Sequence, residues 1–129
     1  MPSQNLIVIH RIYETFETRD FATFFSLMSP EVQILQCPEL PFGGVFHGHD
    51  EAKAFFAKVA TYIDSYVEIE RLIDSNNRIT MVGRTYGTVK ATGHSFNAQI
   101  VHLWELRDGL AARLEIALDL PALLPLLEA

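Results

Sequence analysis

The chain carries one cysteine, Cys37, so it can form no internal disulfide, which fits a reducing compartment. It is poor in basic residues: ten lysines and arginines stand against sixteen acids, for a formal net charge of −6. Binding nucleic acid needs a basic stripe that displaces counterions from phosphates. Here the arginines are scattered, as with Arg11 and Arg19 or Arg71 and Arg78, and a nucleic-acid partner is excluded. Long apolar runs are missing, so no bilayer-crossing segment and no membrane partner is expected. The start, MPSQNLIVIHRIYE, lacks the basic and apolar regions of a signal peptide, and the expected setting is cytoplasmic. Cofactor fingerprints are missing as well. Gly43-Gly44 is followed by no Lys-Ser/Thr pair and does not lead from a strand straight into a helix, so it is no phosphate cradle. No organic cofactor is expected, and hydride and phosphoryl chemistry drop out.

What is present is ordinary globular material: 129 residues, 49% hydrophobic and 20% charged, read as one domain over 1–129. Leu6, Ile9, Ile12, Tyr13 and Phe16 recur at helical spacing over residues 4–18, with Ser3 placed to cap the N-terminus. Asp20 starts a second, shorter helix that buries Phe21, Phe24, Phe25 and Met28, and Ser29-Pro30 closes it. Residues 32–37 read as a strand, 38–48 as a shaped loop, and 50–62 as a third helix burying Ala52, Phe55, Phe56, Val59 and Tyr62. Four strands follow over 66–74, 79–90, 96–106 and 111–118. Their turns are Ser75-Asn76-Asn77-Arg78, Ala91-Thr92-Gly93-His94 and Asp108-Gly109. Residues 121–127 read as a short apolar tail. Helices first and hairpin-linked strands after them predict an α+β fold. Its curved antiparallel (mixed) sheet forms a cone around the N-terminal helices, a cystatin-like α+β barrel with a pocket inside.

Four segments carry a resemblance: IYETFETRDFATFFSLMSPEV, PFGGVFHGHDEAKAFF, ATGHSF and DGLAARLEIALDLPALL. In this order and spacing they resemble the nuclear transport factor 2-like superfamily, and within it the SnoaL-like and ketosteroid isomerase-like proteins. The resemblance implies a cone with a pocket between helices and sheet, and a homodimer through the convex sheet face. It covers isomerases, cyclases, epoxide hydrolases, dehydratases and non-catalytic members, so the fold alone selects no function. The resemblance also places the ketosteroid isomerase residues. The aspartate base falls on Cys37, just before Pro38, and the late-strand acid on His102. The helix tyrosine falls on Ile12, with Tyr13 one residue on and about 100° around the axis. All three differ, and the late acid of the epoxide hydrolases falls near Ile116.

His102 is the candidate of most interest. Phe96, Ala98, Ile100, His102, Trp104 and Leu106 share one face of their strand, with Asn97, Gln99, Val101, Leu103 and Glu105 on the other. One imidazole in an apolar row is either an acid/base or electrophile at a pocket floor, or a core histidine bonded to Tyr13 or a backbone carbonyl. Tyr13 is the matching hydrogen-bond donor. The expected pocket wall is aromatic (Phe16, Phe24, Phe25, Phe42, Phe46, Phe55, Trp104) and aliphatic (Leu35, Val59, Ile100, Leu114, Ile116), with Cys37 among them. Phe42 and Phe46 form either an apolar lid or plain loop packing. Cys37 is either a nucleophile with His102 as base or an inert filler. His47 and His49 either join His102 or Glu39 on a metal or are loop residues beside a helix start; no metal is expected. Arg113 and Glu115 read as a surface or interface pair, and Asp119 as a cap. The functional expectation is a pocket protein for a small lipophilic carbonyl compound, working by acid/base isomerisation, cyclisation or hydration. The alternatives are a binding module without turnover and a dimeric interaction subunit.

Overall fold

In a computed structural model that describes residues 3–128, two helices, α1 (Gln4–Glu17) and α2 (Phe21–Ser26), precede the first strand. Their starts are set by side chains. Ser3 Oγ accepts from the Leu6 amide at 3.0 Å, and an Asp20 carboxylate oxygen accepts from that of Thr23 at 3.3 Å. Along α1 the apolar stripe buries Ile9 and Ile12 completely, while Leu6, Tyr13 and Phe16 are half-buried against the core.

Six strands form one mixed sheet in the order β2-β1-β6-β5-β4-β3. They are β1 (Met28–Gln36), β2 (Gly44–His47), β3 (Ile63–Ser75), β4 (Arg78–Val89), β5 (Ser95–Arg107) and β6 (Leu110–Leu118). Neighbours from β3 to β6 pair antiparallel, as short turns require, and β1 joins β6 in parallel. Helix α3 (Gly48–Tyr62) packs on β1, and α4 (Leu120–Glu128) on β5. The hairpins follow their turn residues: Asp108 and Gly109 both take positive φ, 53° and 76°, as a two-residue turn demands.

Three segments differ from the sequence expectation. Strand β1 begins at Met28, so Ser29-Pro30 lies inside a strand rather than closing a helix. Proline is tolerated because the β1–β6 ladder shifts register between Met28 and Gln33, where no regular amide bond is required of residue 30. Part of the 38–48 loop is the edge strand β2, which pairs with β1 from Gln33↔His47 to Gln36↔Gly44. The 121–127 tail is helix α4, which accommodates Pro121 in its first turn and carries Pro125 inside; burial of Leu123, 1% exposed, holds it to the cone. Among the described residues no helix is long and apolar enough to cross a membrane.

The long β3–β4 hairpin bends where Ile69 pairs Gly83 and Arg71 pairs Val82, leaving Glu70 as the extra residue of a bulge. Gly83 permits that bend by close approach: a Cβ there would sit 2.1 Å from the Glu68 carbonyl oxygen. Gly83→Ala is therefore expected to cost about 2 kcal/mol through overpacking against backbone, read as a lower urea midpoint.

Candidate functional site

Strand β5 alternates strictly, burying Phe96, Ala98, Ile100, His102, Trp104 and Leu106 and exposing the residues between them more. Its register sets His102 opposite Met81 of β4 and Ile116 of β6, in the middle of the sheet. Tyr13 of α1 reaches down onto this row. Its hydroxyl lies 2.6 Å from His102 Nδ1, and the Trp104 indole N–H donates to the same hydroxyl oxygen at 2.8 Å. The tyrosine and imidazole rings are nearly parallel, 4° apart, and the indole stands edge-on to both. Sequence reading offered Tyr13 bonding and a pocket-floor position as alternatives for His102; the geometry shows both.

Beside this trio lies a cavity of about 90 Å³, measured as space open to water centres. One such water needs only roughly 10–15 Å³ on that measure, so the space admits a small organic molecule or several waters. Its polar lining comes from Tyr13, Gln36, Ser65, Thr85, His102 and Trp104, and among the described residues no carboxylate, lysine or arginine reaches it. His102 is 8% exposed, and burial holds its pKa down at about 4, so the imidazole is neutral at physiological pH. Burial likewise pushes the Tyr13 phenol up, against a smaller opposing effect of the Trp104 N–H, and it stays protonated. Near neutrality His102 is thus a neutral ring, the form that can take up a proton or donate its N–H, rather than a group poised at its own pKa.

Of the expected wall, Phe16, Phe42, Phe55, Val59, Ile100, Trp104, Leu114 and Ile116 surround the cavity together with Tyr13 and His102. Phe25, Leu35, Cys37 and Phe46 do not. Phe25 packs between Phe24 and Phe56, under the Lys53 ammonium. Leu35 has the wrong parity: Val32, Ile34 and Gln36 face inward along β1, so residue 35 points to the other side. Cys37 lies past the strand end with Sγ 3.8 Å from the Ile116 carbonyl oxygen and is not itself a lining residue; among the described residues no hydrogen bond joins it to His102, so the Cys37–His102 nucleophile pair is not assembled. Phe46 packs on Phe55 with ring centres 4.8 Å apart and the rings tilted by 44°, and Phe42 is buried against Tyr62; the pair is packing, not a lid.

The metal arrangement is not assembled either. His49 Nε2 donates to the Met28 carbonyl at 2.9 Å, and the exposed His47 caps α3, its amide donating to a Glu51 carboxylate oxygen. Among the described residues no three of His, Cys, Asp and Glu group as metal ligands. Arg113 and Glu115 do pair, at 3.1 Å. Wall residues that sequence reading missed include Gln36, Ser65, Val67, Thr85 and Leu123. Inward parity would have found Gln36 and Thr85 from their neighbours Ile34, Met81 and Ile79; nothing local marked Leu123.

A match to the SnoaL-like domain spans residues 9–114. The chain belongs to the SnoaL-like family. Solved SnoaL-like and NTF2-like structures agree over almost its whole length. An NTF2-like protein of unknown function from Burkholderia pseudomallei K96243 is 29% identical, covers 99% of this chain and 100% of its own, and has a TM-score of 0.93. TerC, co-crystallised with polyporic acid, is 28% identical over 98% of this chain and 100% of its own, with a TM-score of 0.88. A further NTF2-like protein, from Burkholderia thailandensis E264, shares the fold at 21% identity, with 97% of each chain covered and a TM-score of 0.87. Among curated proteins, none matches the sequence. Ile12 is the residue on which the resemblance set the helix tyrosine of the ketosteroid isomerases. It lines the cavity, and the neighbouring Tyr13 supplies the hydroxyl.

The depressed His102 pKa fixes a pH dependence. The unfolded ring, with pKa near 6.5, takes up a proton between pH 6.5 and 4 that the folded ring refuses. Stability from this group is therefore full above about pH 6.5 and is lost as pH falls toward 4, on the order of 3 kcal/mol over the window. Urea unfolding at pH 7.5 and 4.5 is expected to show this loss in the wild type and not in His102→Gln.

Proposed function

We propose that this SnoaL-like protein takes a small lipophilic carbonyl compound into the cone and polarises its oxygen with the neutral imidazole of His102. One observation carries the reading. Nδ1 of His102 is held by Tyr13, whereas Nε2 has no protein partner among the described residues and retains accessible surface on a residue that lines the cavity. A neutral imidazole can donate to a carbonyl, and the bond strengthens as negative charge builds on that oxygen in an enolising, cyclising or hydrating substrate. An apolar wall without charges suits an uncharged ligand and keeps that hydrogen bond out of competition with bulk water. TerC, related over the full length and crystallised with an organic small molecule, is in line with this occupancy.

The absence of any carboxylate among the lining residues favours a second reading in which the ligand is held without turnover. A single pair of experiments separates the two. Cyclopentanone binding to wild type should lower the carbonyl stretching frequency, and His102→Leu should bind about tenfold more weakly with an unshifted band, one hydrogen bond being worth roughly that factor. Equal affinity and equal band position in the two proteins would remove His102 from the ligand site. Conversion of cyclopent-3-enone to its conjugated isomer by wild type alone marks the enzyme; binding without conversion marks the carrier.

The homodimer implied by the resemblance would use the outer face of β5. Leu103 is 39% exposed there, flanked by the Arg78–Glu105 and Arg113–Glu115 pairs. Leu103→Glu is expected to halve the mass measured by light scattering, and a monomeric wild type would dismiss the pairing.

A further inference from the structure

We propose that Trp104 and Tyr13 are positioning residues: a one-way hydrogen-bond chain that holds His102 in the tautomer with its proton on Nε2, so that the cavity selects ligands bearing an acceptor. The inference rests on the reading of the cavity just given and adds its selectivity. An indole N–H can only donate, so the bond from Trp104 Nε1 commits the Tyr13 oxygen to accepting. The hydroxyl then has one proton to place. Its other polar partner among the described residues is His102 Nδ1, 2.6 Å away, and leaving a buried hydroxyl proton unplaced is unfavourable. Tyr13 therefore donates to Nδ1, Nδ1 is the bare nitrogen, and the ring proton sits on Nε2, on the cavity side.

The indole is what gives the chain its direction. A phenol oxygen with no donor already bound to it accepts as readily as it donates, and the imidazole could then turn its Nδ1–H onto Tyr13 and leave a bare Nε2 in the cavity. With the indole N–H already on that oxygen, a second N–H from His102 would leave the phenol proton with no acceptor among the described residues, so donation to Nδ1 is favoured, and the indole bond strengthens it cooperatively. A cavity facing Nε2–H welcomes a carbonyl or ether oxygen. It disfavours a ligand whose sole polar group is a donor, because two N–H groups would then meet head-on with no acceptor between them. Tyr13 on this account borders the cavity but gives its proton to His102 and not to the ligand, so its effect on selectivity passes through His102.

Nitrogen NMR of the full-length protein labelled with ¹⁵N-histidine reads the tautomer directly and without any ligand, the His102 signals being assigned by their loss in His102→Gln. The wild type is expected to show a protonated Nε2 and a bare Nδ1. Because Trp104 is the single tryptophan, supplying β-(3-benzothienyl)alanine in its place removes that N–H while keeping the ring shape. The substituted protein, like Trp104→Phe and Tyr13→Phe, should gain Nδ1-protonated ring. Its preference for cyclopentanone over pyrrole, about tenfold in the wild type, should shrink to about twofold or less. A wild-type ring protonated on Nδ1, or an unchanged tautomer and preference in the benzothienyl protein, overturns the proposal. If the tautomers behave as expected while neither cyclopentanone nor pyrrole binds, the chain stands and the carbonyl-binding function falls.

Discussion

The hydrogen bond between Tyr13 and His102 is the constraint on which the site depends. It joins the first helix to the centre of the sheet across almost ninety residues of sequence, |i−j| = 89, and it lets an imidazole stay in an apolar wall without an unpaired Nδ1. Removing either partner leaves the other as a buried polar group without its match, which costs more than the bond itself contributes. The same burial that makes the bond necessary also keeps the ring neutral. Position, charge state and chemistry of His102 thus come from one packing arrangement.

The rest of the fold serves to make that arrangement concave. The β3–β4 hairpin bends at the Gly83 bulge, and β1 closes against β6 in parallel, carrying β2 and α3 with it. The inward faces of β4, β5 and β6 then meet the α1 stripe, with Leu123 of α4 filling one side. A sheet that stayed flat would let Ile12 and Tyr13 pack directly onto β5 and leave no hollow beside His102.

Much of this was legible in the chain because it is local. Helical spacing placed Ile9, Ile12 and Tyr13; Asp108-Gly109 fixed the β5–β6 hairpin; alternation along β5 put His102 among inward apolar residues, with Tyr13 or a backbone carbonyl as its expected partner, and the structure shows Tyr13. Non-local features were not legible. Pairing of β1 with β6 bridges residues far apart, and nothing in Gly44–His47 announces an edge strand apart from the partner it finds. The helix at Leu120–Glu128 runs against the usual meaning of two prolines, because burial of Leu123 outweighs local preference. Parity in β1 was misread by one residue, which exchanged Leu35 and Cys37 for Gln36. The pKa of His102 depends on enclosure, a property no spacing encodes.

One side chain borders three of the hollows in this fold. Phe16 borders the inner cavity and also two outer depressions of about 320 and 210 Å³ on the same measure, one shared with Val67 and the other with Ile63 and Ser65. Its ring is therefore part of the wall between the hollow beside His102 and the surface, with Tyr13 and Val67 toward one depression and Phe56, Val59, Ile63 and Ser65 toward the other. The partition is held by Arg19, whose guanidinium lies 4.8 Å from the Phe16 ring centre and 5.0 Å from that of Tyr66 and donates to the Ser65 carbonyl at 2.9 Å. Arg19 is exposed and its Asp64 partner is 3.9 Å away, so these contacts are individually weak and exchange with water at modest cost. Rotating Phe16 outward would merge the inner hollow with the depression that His10, Glu14 and Tyr86 also line. The wall that borders the hollow beside His102 is thus apolar on its inner side and braced on its outer side by the Arg19 guanidinium.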